Sequence, residues 1–147
     1  CATLSRSSGT TNRNSSKVSQ EMNKQHIDVE RAMGFSQAVA VESGGTKTIY
    51  ISGQTGQSEG LEQQSREAFT GLKARLEAAG ATGDDVVKLT TYIVDYSPEK
   101  AAAAFAGFGQ VFTDRDHPPA NTLIGVQALF QPGILLEVEA IAVVAVD

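Results

Sequence analysis

From residue 35 onward, the chain alternates between short runs of β-prone residues and stretches with helical periodicity. Residues 35–41 and 48–52 are two β-prone runs, joined by residues 42–47, which contain two adjacent glycines suited to a hairpin turn. Residues 60–80 carry apolar side chains at spacings of three and four, as on one face of a helix: Leu61, Ala68, Phe69, Leu72, Leu76 and Ala79. Gly80 stands where a left-handed C-terminal cap is expected. The pattern therefore predicts a β-hairpin followed by a helix.

The second half of the chain repeats this alternation. Residues 86–95 are rich in Val, Thr, Tyr and Ile and predict a strand, with Val87, Leu89, Thr91 and Ile93 on one face. Ser97 and Pro98 are typical of a helix start. A stripe of apolar residues then predicts a continuous helix to about Thr113: Ala101, Phe105, Phe108 and Phe112. Residues 121–126 and 135–145 predict two further strands around a turn at residues 131–133.

The predicted element order is ββαβαββ. Each helix has a single apolar stripe, so both helices should pack on one face of a mixed sheet, which gives an α+β fold. The opposite face keeps apolar side chains that a chain of 147 residues is too short to cover. We therefore expect a homo-oligomer.

Composition separates the N-terminal segment from the rest. The first 24 residues contain six Ser, three Thr and three Asn, which favours a flexible polar tail over residues 1–27 and a folded domain over residues 28–147. Residues 1–27 also hold four of the 12 basic residues but one of the 17 acidic residues. The acidic body argues against binding to nucleic acid, because such binding needs basic residues against the phosphates.

The sequence gives little information about the cellular compartment of the protein or about metal binding. Cys1, followed by Ala2 and a polar stretch, resembles the processed, lipid-bearing terminus of a bacterial lipoprotein, and a sequence boundary is the alternative. No apolar run approaches a membrane span, so we expect a cytoplasmic protein or, alternatively, an exported lipoprotein anchored through Cys1. With one Cys and two His, His26 and His117, we expect no metal site.

Three runs carry a resemblance to a known family: residues 51–54 (ISGQ), residues 72–80 (LKARLEAAG) with residues 85–88 (DVVK) behind them, and residues 136–143 (LEVEAIAV). They resemble signature runs of the RidA/YjgF family, in unbroken order over about residues 33–145. The resemblance implies a chorismate-mutase-like fold and a homotrimer with a cleft at each subunit boundary. It also implies hydrolysis of reactive 2-imino or 2-enamino acids without a cofactor.

One departure affects this chemistry directly. The family binds the substrate carboxylate with an Arg at the start of its fifth strand, and the matching position here is Asn121. A neutral amide replaces a bidentate guanidinium, so we expect weak activity on imino acids. Phe105 stands at a position that is often Asn in the family, although it also fits the apolar helical stripe, and Leu123 replaces a small residue or Cys. These changes make the expected cleft more apolar.

The remaining family positions are intact. Glu137 matches the acid that commonly binds water and is the expected catalytic residue, whereas Glu139, on the same strand face, is expected to be structural. Ser52 and Gly53 match the strand that holds the ligand. Asn121 could contact a ligand or satisfy backbone groups where the strand begins, and Arg115 is a charged loop residue that could supply the missing cation.

Two functions remain open. The first is a hydrolase that adds water to a small imine, enamine or related carbonyl compound, with Glu137 as catalytic residue and with Ser52, Gly53, Asn121, Phe105 and Leu123 binding substrate. The second is a non-catalytic trimer that binds a small molecule or a protein. Some relatives are labelled endoribonucleases, and the acidic body argues against that activity here.

Overall fold

The computed structural model describes residues 22–147, which build one mixed sheet with helices on one side. The strands are β1 (Asn23–Glu30), β2 (Phe35–Ser43), β3 (Thr46–Thr55), β4 (Val86–Val94), β5 (Ala120–Val126) and β6 (Leu136–Ala145), and the helices are α1 (Leu61–Ala78) and α2 (Ala101–Ala104). Three short 3₁₀ helices cover Gly83–Asp85, Pro98–Lys100 and Phe108–Gln110. The sheet order is β1-β2-β3-β6-β4-β5, and β4 and β5 form its one parallel pair within these residues. The predicted α+β class is confirmed.

The predicted hairpin and first helix are confirmed. β2 and β3 pair antiparallel around Gly44 and Gly45, which adopt φ of 60° and 82°. These left-handed angles favour glycine because it lacks a Cβ atom. Gly80, with φ of 81°, follows α1 in the same way.

The core lies between the sheet and the apolar face of α1. Phe69, Leu72 and Leu76 of α1 are fully buried, and each contributes about 1.5–3 kcal/mol of transfer free energy. β6 follows a two-residue alternation in which one face is buried against the helix and the other, with Glu137 and Glu139, is partly exposed. The core therefore fixes which side chains of β6 face away from the helices.

The face without helices carries exposed apolar side chains, including Tyr50, Ile124 and Val143. They agree with the expectation that another subunit covers this face, and the trimer itself remains a prediction. None of the helices formed by residues 22–147 is long and apolar enough to cross a membrane.

The boundary between tail and domain needs correction. Residues 23–27, assigned to the tail, belong to β1, which pairs antiparallel with β2 along the edge of the sheet. Asp28, with φ of 50°, accepts a hydrogen bond of 3.0 Å from Arg75 of α1 and ties β1 to the helix layer. β1 has no alternating apolar pattern because only Ile27 packs on the core. The predictions for Cys1 and for residues 1–21 lie outside the described residues.

The prediction of one continuous second helix is wrong. The segment divides into a 3₁₀ turn, the four-residue α2 and another 3₁₀ turn. Ser65 of α1 explains the break, because its hydroxyl donates to the carbonyl of Ala104 at 2.6 Å and accepts from the N–H of Gly107 at 3.1 Å. A Cβ atom on Gly107 would lie 2.5 Å from the carbonyl oxygen of Ser65, so the close approach requires glycine.

β4 also differs from prediction at its start. Leu89, Thr91 and Ile93 are buried on one face as expected, but Val87 is 49% exposed. The register between β4 and β6 shifts between Val86 and Lys88. This irregularity turns Val87 away from the face shared by the other three residues.

Candidate functional site

A β-bulge in β3 creates the centre of the candidate site. Ile51 pairs with Ala140 of β6 whereas Gln54 pairs with Val138, so three steps along β3 match two steps along β6. Ser52 and Gly53 are the residues in this irregular segment. Bulges change the direction of side chains and backbone locally, and here the bulge brings the backbone of Gly53 against the side chain of Glu137.

Gly53 is required by this approach. A Cβ atom at this position would lie 1.6 Å from Oε1, 2.5 Å from Cδ and 2.8 Å from Cγ of Glu137. Any larger residue must therefore displace the Glu137 side chain. Gly53 therefore allows the backbone of β3 to approach the expected catalytic acid closely.

Glu137 is half-buried, and no group within residues 22–147 donates a hydrogen bond to its carboxylate. Burial raises the pKa of Glu137 above its ordinary value, and the neighbouring charge of Glu139 raises it further. A carboxylate with free lone pairs and a raised pKa is suited to accept and return a proton.

Glu139 has a different environment on the same strand face. The hydroxyl of Tyr92 on β4 donates a hydrogen bond of 2.6 Å to its Oε1. This bond, followed by burial and the charges of Glu139 and Glu137, raises the pKa of Tyr92 to about 12. The prediction that Glu139 is structural agrees with this contact, since Tyr92 occupies its carboxylate.

Ser52 connects the bulge to β2. Its hydroxyl donates to the carbonyl of Ser36 at 2.6 Å. The side-chain amide of Gln54 donates to the carbonyl of Ser52 and to Oε1 of Gln37, both at 3.0 Å. These bonds hold the bulge in place, and the Ser52 hydroxyl keeps lone pairs that can accept a hydrogen bond from a ligand.

A groove of about 470 Å³ opens beside these residues. Its polar lining consists of Ser52, Gly53, Thr55, Gln57, Gln131 and Glu137, and its apolar lining consists of Met33, Phe35, Phe130 and Ile134. Phe130 is 77% exposed. Among the described residues that line the groove, Glu137 is charged and none is Lys or Arg.

Gln64 of α1 shapes the groove and was not identified from the sequence. Its side chain is 3% exposed, and its amide pairs with the backbone after Phe130. Nε2 donates to the carbonyl of Gly133 at 2.8 Å, and Oε1 accepts from the N–H of Leu135 at 2.8 Å. The available signal was an amide on the apolar helical face, three residues after Leu61 and four before Ala68.

The other predicted binding residues lie apart from this groove in the single chain. Asn121 is exposed near the start of edge strand β5, and it pairs with Leu89 of β4. Its backbone lies two strand spacings across the sheet and three residues along the strands from that of Glu137, a distance of about 14 Å. Leu123 and Phe105 are partly buried against the core, and Phe105 makes an edge contact with Phe108 at 6.1 Å between ring centres.

Arg115 is also exposed and does not line the groove. It lies in the loop before β5, where His117 and Asp114 form a contact of 2.9 Å. That contact lowers the pKa of Asp114. Within residues 22–147 no group of three or more His, Cys, Asp or Glu side chains is placed to hold a metal ion.

Comparison with known proteins gives a consistent family assignment. Residues 25–144 match the family model described as Endoribonuclease L-PSP. A RutC family protein from Haemophilus influenzae is 37% identical over 54% of this chain and 61% of its own length, so the chain spans less than two thirds of that relative. A protein from Dermatophagoides farinae named 2-iminobutanoate/2-iminopropanoate deaminase is 30% identical over 75% of this chain and 85% of its own length.

A solved structure agrees with this assignment. The Rid-family protein of unknown function from Yersinia pestis is 38% identical, with a TM-score of 0.62 over 83% of this chain and 99% of its own. The match to the family model includes β1, which the sequence prediction had assigned partly to the tail.

Proposed function

Because the chain belongs to the Endoribonuclease L-PSP family, which includes the RidA and YjgF proteins, we propose that it adds water to small imines, enamines or related carbonyl compounds. Glu137 is the catalytic residue of this proposal. The observation that carries it is the Glu137 carboxylate, which lies against Gly53 with free lone pairs and a raised pKa. Similarity to a relative named an imino-acid deaminase supports this reaction class.

The proposed reaction needs only a positioned water and one acid–base group. Glu137 accepts a proton from water as the water oxygen bonds to the imine carbon. It returns that proton to nitrogen, which gives a carbinolamine. Glu137 then accepts the proton of the new hydroxyl group and passes it to nitrogen as the carbon–nitrogen bond breaks, and a carbonyl compound and ammonia or an amine leave. A raised pKa favours the return of the proton. No oxidant or reductant is consumed.

Two strands support Glu137 in this role. The bulge at Ser52 and Gly53 sets the position of its carboxylate, and Tyr92 holds the neighbouring Glu139. Part of the groove lining is apolar, and less polar surroundings strengthen polar interactions with the reacting atoms.

The proposal includes a homotrimer in which Asn121 of a neighbouring subunit enters the cleft. This arrangement follows the family resemblance and suits the exposed position of Asn121 on edge strand β5. Asn121 offers a substrate carboxylate neutral donors in place of a guanidinium. We therefore expect slow hydrolysis of 2-imino acids.

The test is a rescue experiment with the full chain. Purified protein is mixed with an enzyme that generates 2-iminopropanoate or 2-iminobutanoate, and release of the 2-oxo acid is followed. Asn121→Arg should raise the rate by about tenfold to a hundredfold, since one guanidinium contributes roughly 1.5–3 kcal/mol when it acts in the transition state. Adding Glu137→Ala should remove the gain, and Asn121→Gln is the matched neutral control.

Fast hydrolysis of 2-imino acids by the native protein would contradict the interpretation of Asn121. Arg115→Ala would then decide whether Arg115 supplies the cation. An Asn121→Arg variant that folds but gains no activity, together with a native protein inactive on uncharged imines, would favour the alternative of a non-catalytic binding trimer. The exposed Phe130 at the groove is the observation that favours this alternative.

A further inference from the structure

We infer that the groove beside Glu137 selects a small cationic nitrogen compound, a protonated imine or amine, that carries an apolar substituent and no carboxylate. The inference deepens the proposed function, on which it rests for the identity of the reacting group. It concerns the chemistry of binding, however, and can be tested without turnover.

The first argument is charge. Glu137 is the charged side chain among the described residues that line the groove, and its carboxylate accepts no hydrogen bond from residues 22–147. A ligand carboxylate would lie beside this acid with no Lys or Arg among the described lining residues to offset the repulsion, whereas a protonated nitrogen would supply the missing donor.

Arg31 and Lys88, two basic side chains of the sheet and its turns, belong to other surfaces. Arg31 lies in the turn before β2, and it lines a neighbouring hollow together with Glu30 and His26. Lys88 of β4 donates to the hydroxyl of Thr122 on β5. Neither lines the groove, so the charge that a ligand meets there is negative.

The second argument is the apolar wall. The apolar lining residues come from the turn before β2, from the first residue of β2 and from the loop before β6: Met33, Phe35, Phe130 and Ile134. Aromatic faces attract cations as well as apolar groups. The volume of about 470 Å³ suits one small ligand.

The third argument is that part of this wall is held in place before a ligand binds. Gln64 fixes the backbone of Gly133 and Leu135 on either side of Ile134. A third bond, from Nε2 of Gln64 to the carbonyl of Ser58 at 3.0 Å, ties the same amide to the loop before α1. Preformed walls reduce the ordering cost of binding.

The experiment uses calorimetric titration of the native full-length protein at pH 8 with three probes of matched shape: benzylamine, benzamide and benzoate. We expect benzylamine to bind at least about tenfold tighter than benzoate, with benzamide between them. Methylamine, which keeps the charge but lacks the ring, should bind at least about tenfold more weakly than benzylamine.

Variants separate the two arguments. Glu137→Gln should reduce the preference for benzylamine over benzoate by about fivefold or more. Glu139→Gln removes the neighbouring acid that Tyr92 already occupies, and should change the preference by less than about twofold. Phe130→Ala should weaken all three aromatic probes, because it removes part of the apolar wall. Melting temperatures establish that each variant is folded.

The outcomes distinguish the inference from the proposed function. Benzoate binding as tightly as benzylamine, or no binding of any probe at millimolar concentration, overturns the inference. The expected preference without hydrolysis of the matching imine, N-benzylidene methylamine, supports the inference and overturns the proposed function. Hydrolysis of that imine by a protein that prefers benzoate upholds the function and overturns the inference.

Discussion

The contact between Gly53 and Glu137 makes Gly53→Ala the most informative single substitution. A new Cβ atom would lie 1.6 Å from Oε1 and 2.5 Å from Cδ of Glu137, so the carboxylate cannot keep its position. Gly53 has no positive φ, and the backbone itself accepts alanine. The substitution therefore displaces one side chain while leaving the strand in place.

The expected effects on activity and on stability are different in size. Forcing the Glu137 side chain about 30° off its rotamer costs about 0.5–1.5 kcal/mol, and the reduced freedom of the unfolded chain offsets about 0.4–1 kcal/mol of this. The free energy of unfolding should change by less than about 1 kcal/mol. The rate of imine hydrolysis should fall about a hundredfold, because misplacement of a catalytic group by about 1 Å has that effect.

The assay is a double-mutant cycle with Glu137→Ala, measured both by denaturant unfolding and by hydrolysis. Once Glu137 is removed, Gly53→Ala should be neutral or slightly stabilising and should cause no further loss of rate. Gly109→Ala is the matched control, since a Cβ atom there meets no heavy atom within 4 Å. A Gly53→Ala variant with full activity, or additive effects in the cycle, would refute the proposed position of the carboxylate.

Four further outcomes are expected. Thr91→Val should raise the free energy of unfolding by about 1–2 kcal/mol, measured with urea, because the Thr91 hydroxyl is fully buried and has no partner among the described residues. Gln64→Leu should lower it by about 2–4 kcal/mol by removing the hydrogen bonds of three backbone groups, while the exposed Gln63→Leu control should change it little. Glu137→Gln should raise the melting temperature at pH 7. Burial raises the pKa of Glu137 in the folded protein above the ordinary 4.5, so the Glu137 carboxyl contributes stability below pH 4.5 and loses that contribution as the pH rises through the folded pKa. The melting temperatures of the native protein and of the Gln variant should therefore converge near pH 4. Sedimentation at micromolar concentration should give the mass of a trimer, and a single-chain mass would contradict the proposed assembly.

The parts of the fold that the sequence predicted are those in which one local pattern determines the structure. The spacing of apolar residues located α1, and the paired glycines located the hairpin between β2 and β3. The alternation in β6 correctly placed Glu137 and Glu139 on one face. In each case the hydrophobic period and the turn chemistry favour the same structure.

The parts that could not be predicted depend on contacts between distant segments. β1 has a polar sequence and is ordered by pairing with β2 and by the contact of Asp28 with Arg75, 47 residues away. The break after α2 depends on Ser65, 39 residues before Ala104. The bulge that brings Gly53 to Glu137 is a register shift between two strands, and neither strand reveals it alone.

The roles of the two acids on β6 show why strand position alone could not assign them. Both side chains point to the same face, and a sequence pattern treats them alike. Their neighbours differ: the hydroxyl of Tyr92 donates to Glu139, whereas Glu137 faces a glycine and an apolar groove without a donor among the described residues. A half-buried carboxylate without a donor opposes folding, because burial disfavours its charged form. Tyr92 reduces that cost for Glu139 by its hydrogen bond. Glu137 has no such donor among the described residues, and its carboxylate is therefore free for the water activation or the binding of a protonated nitrogen that we propose.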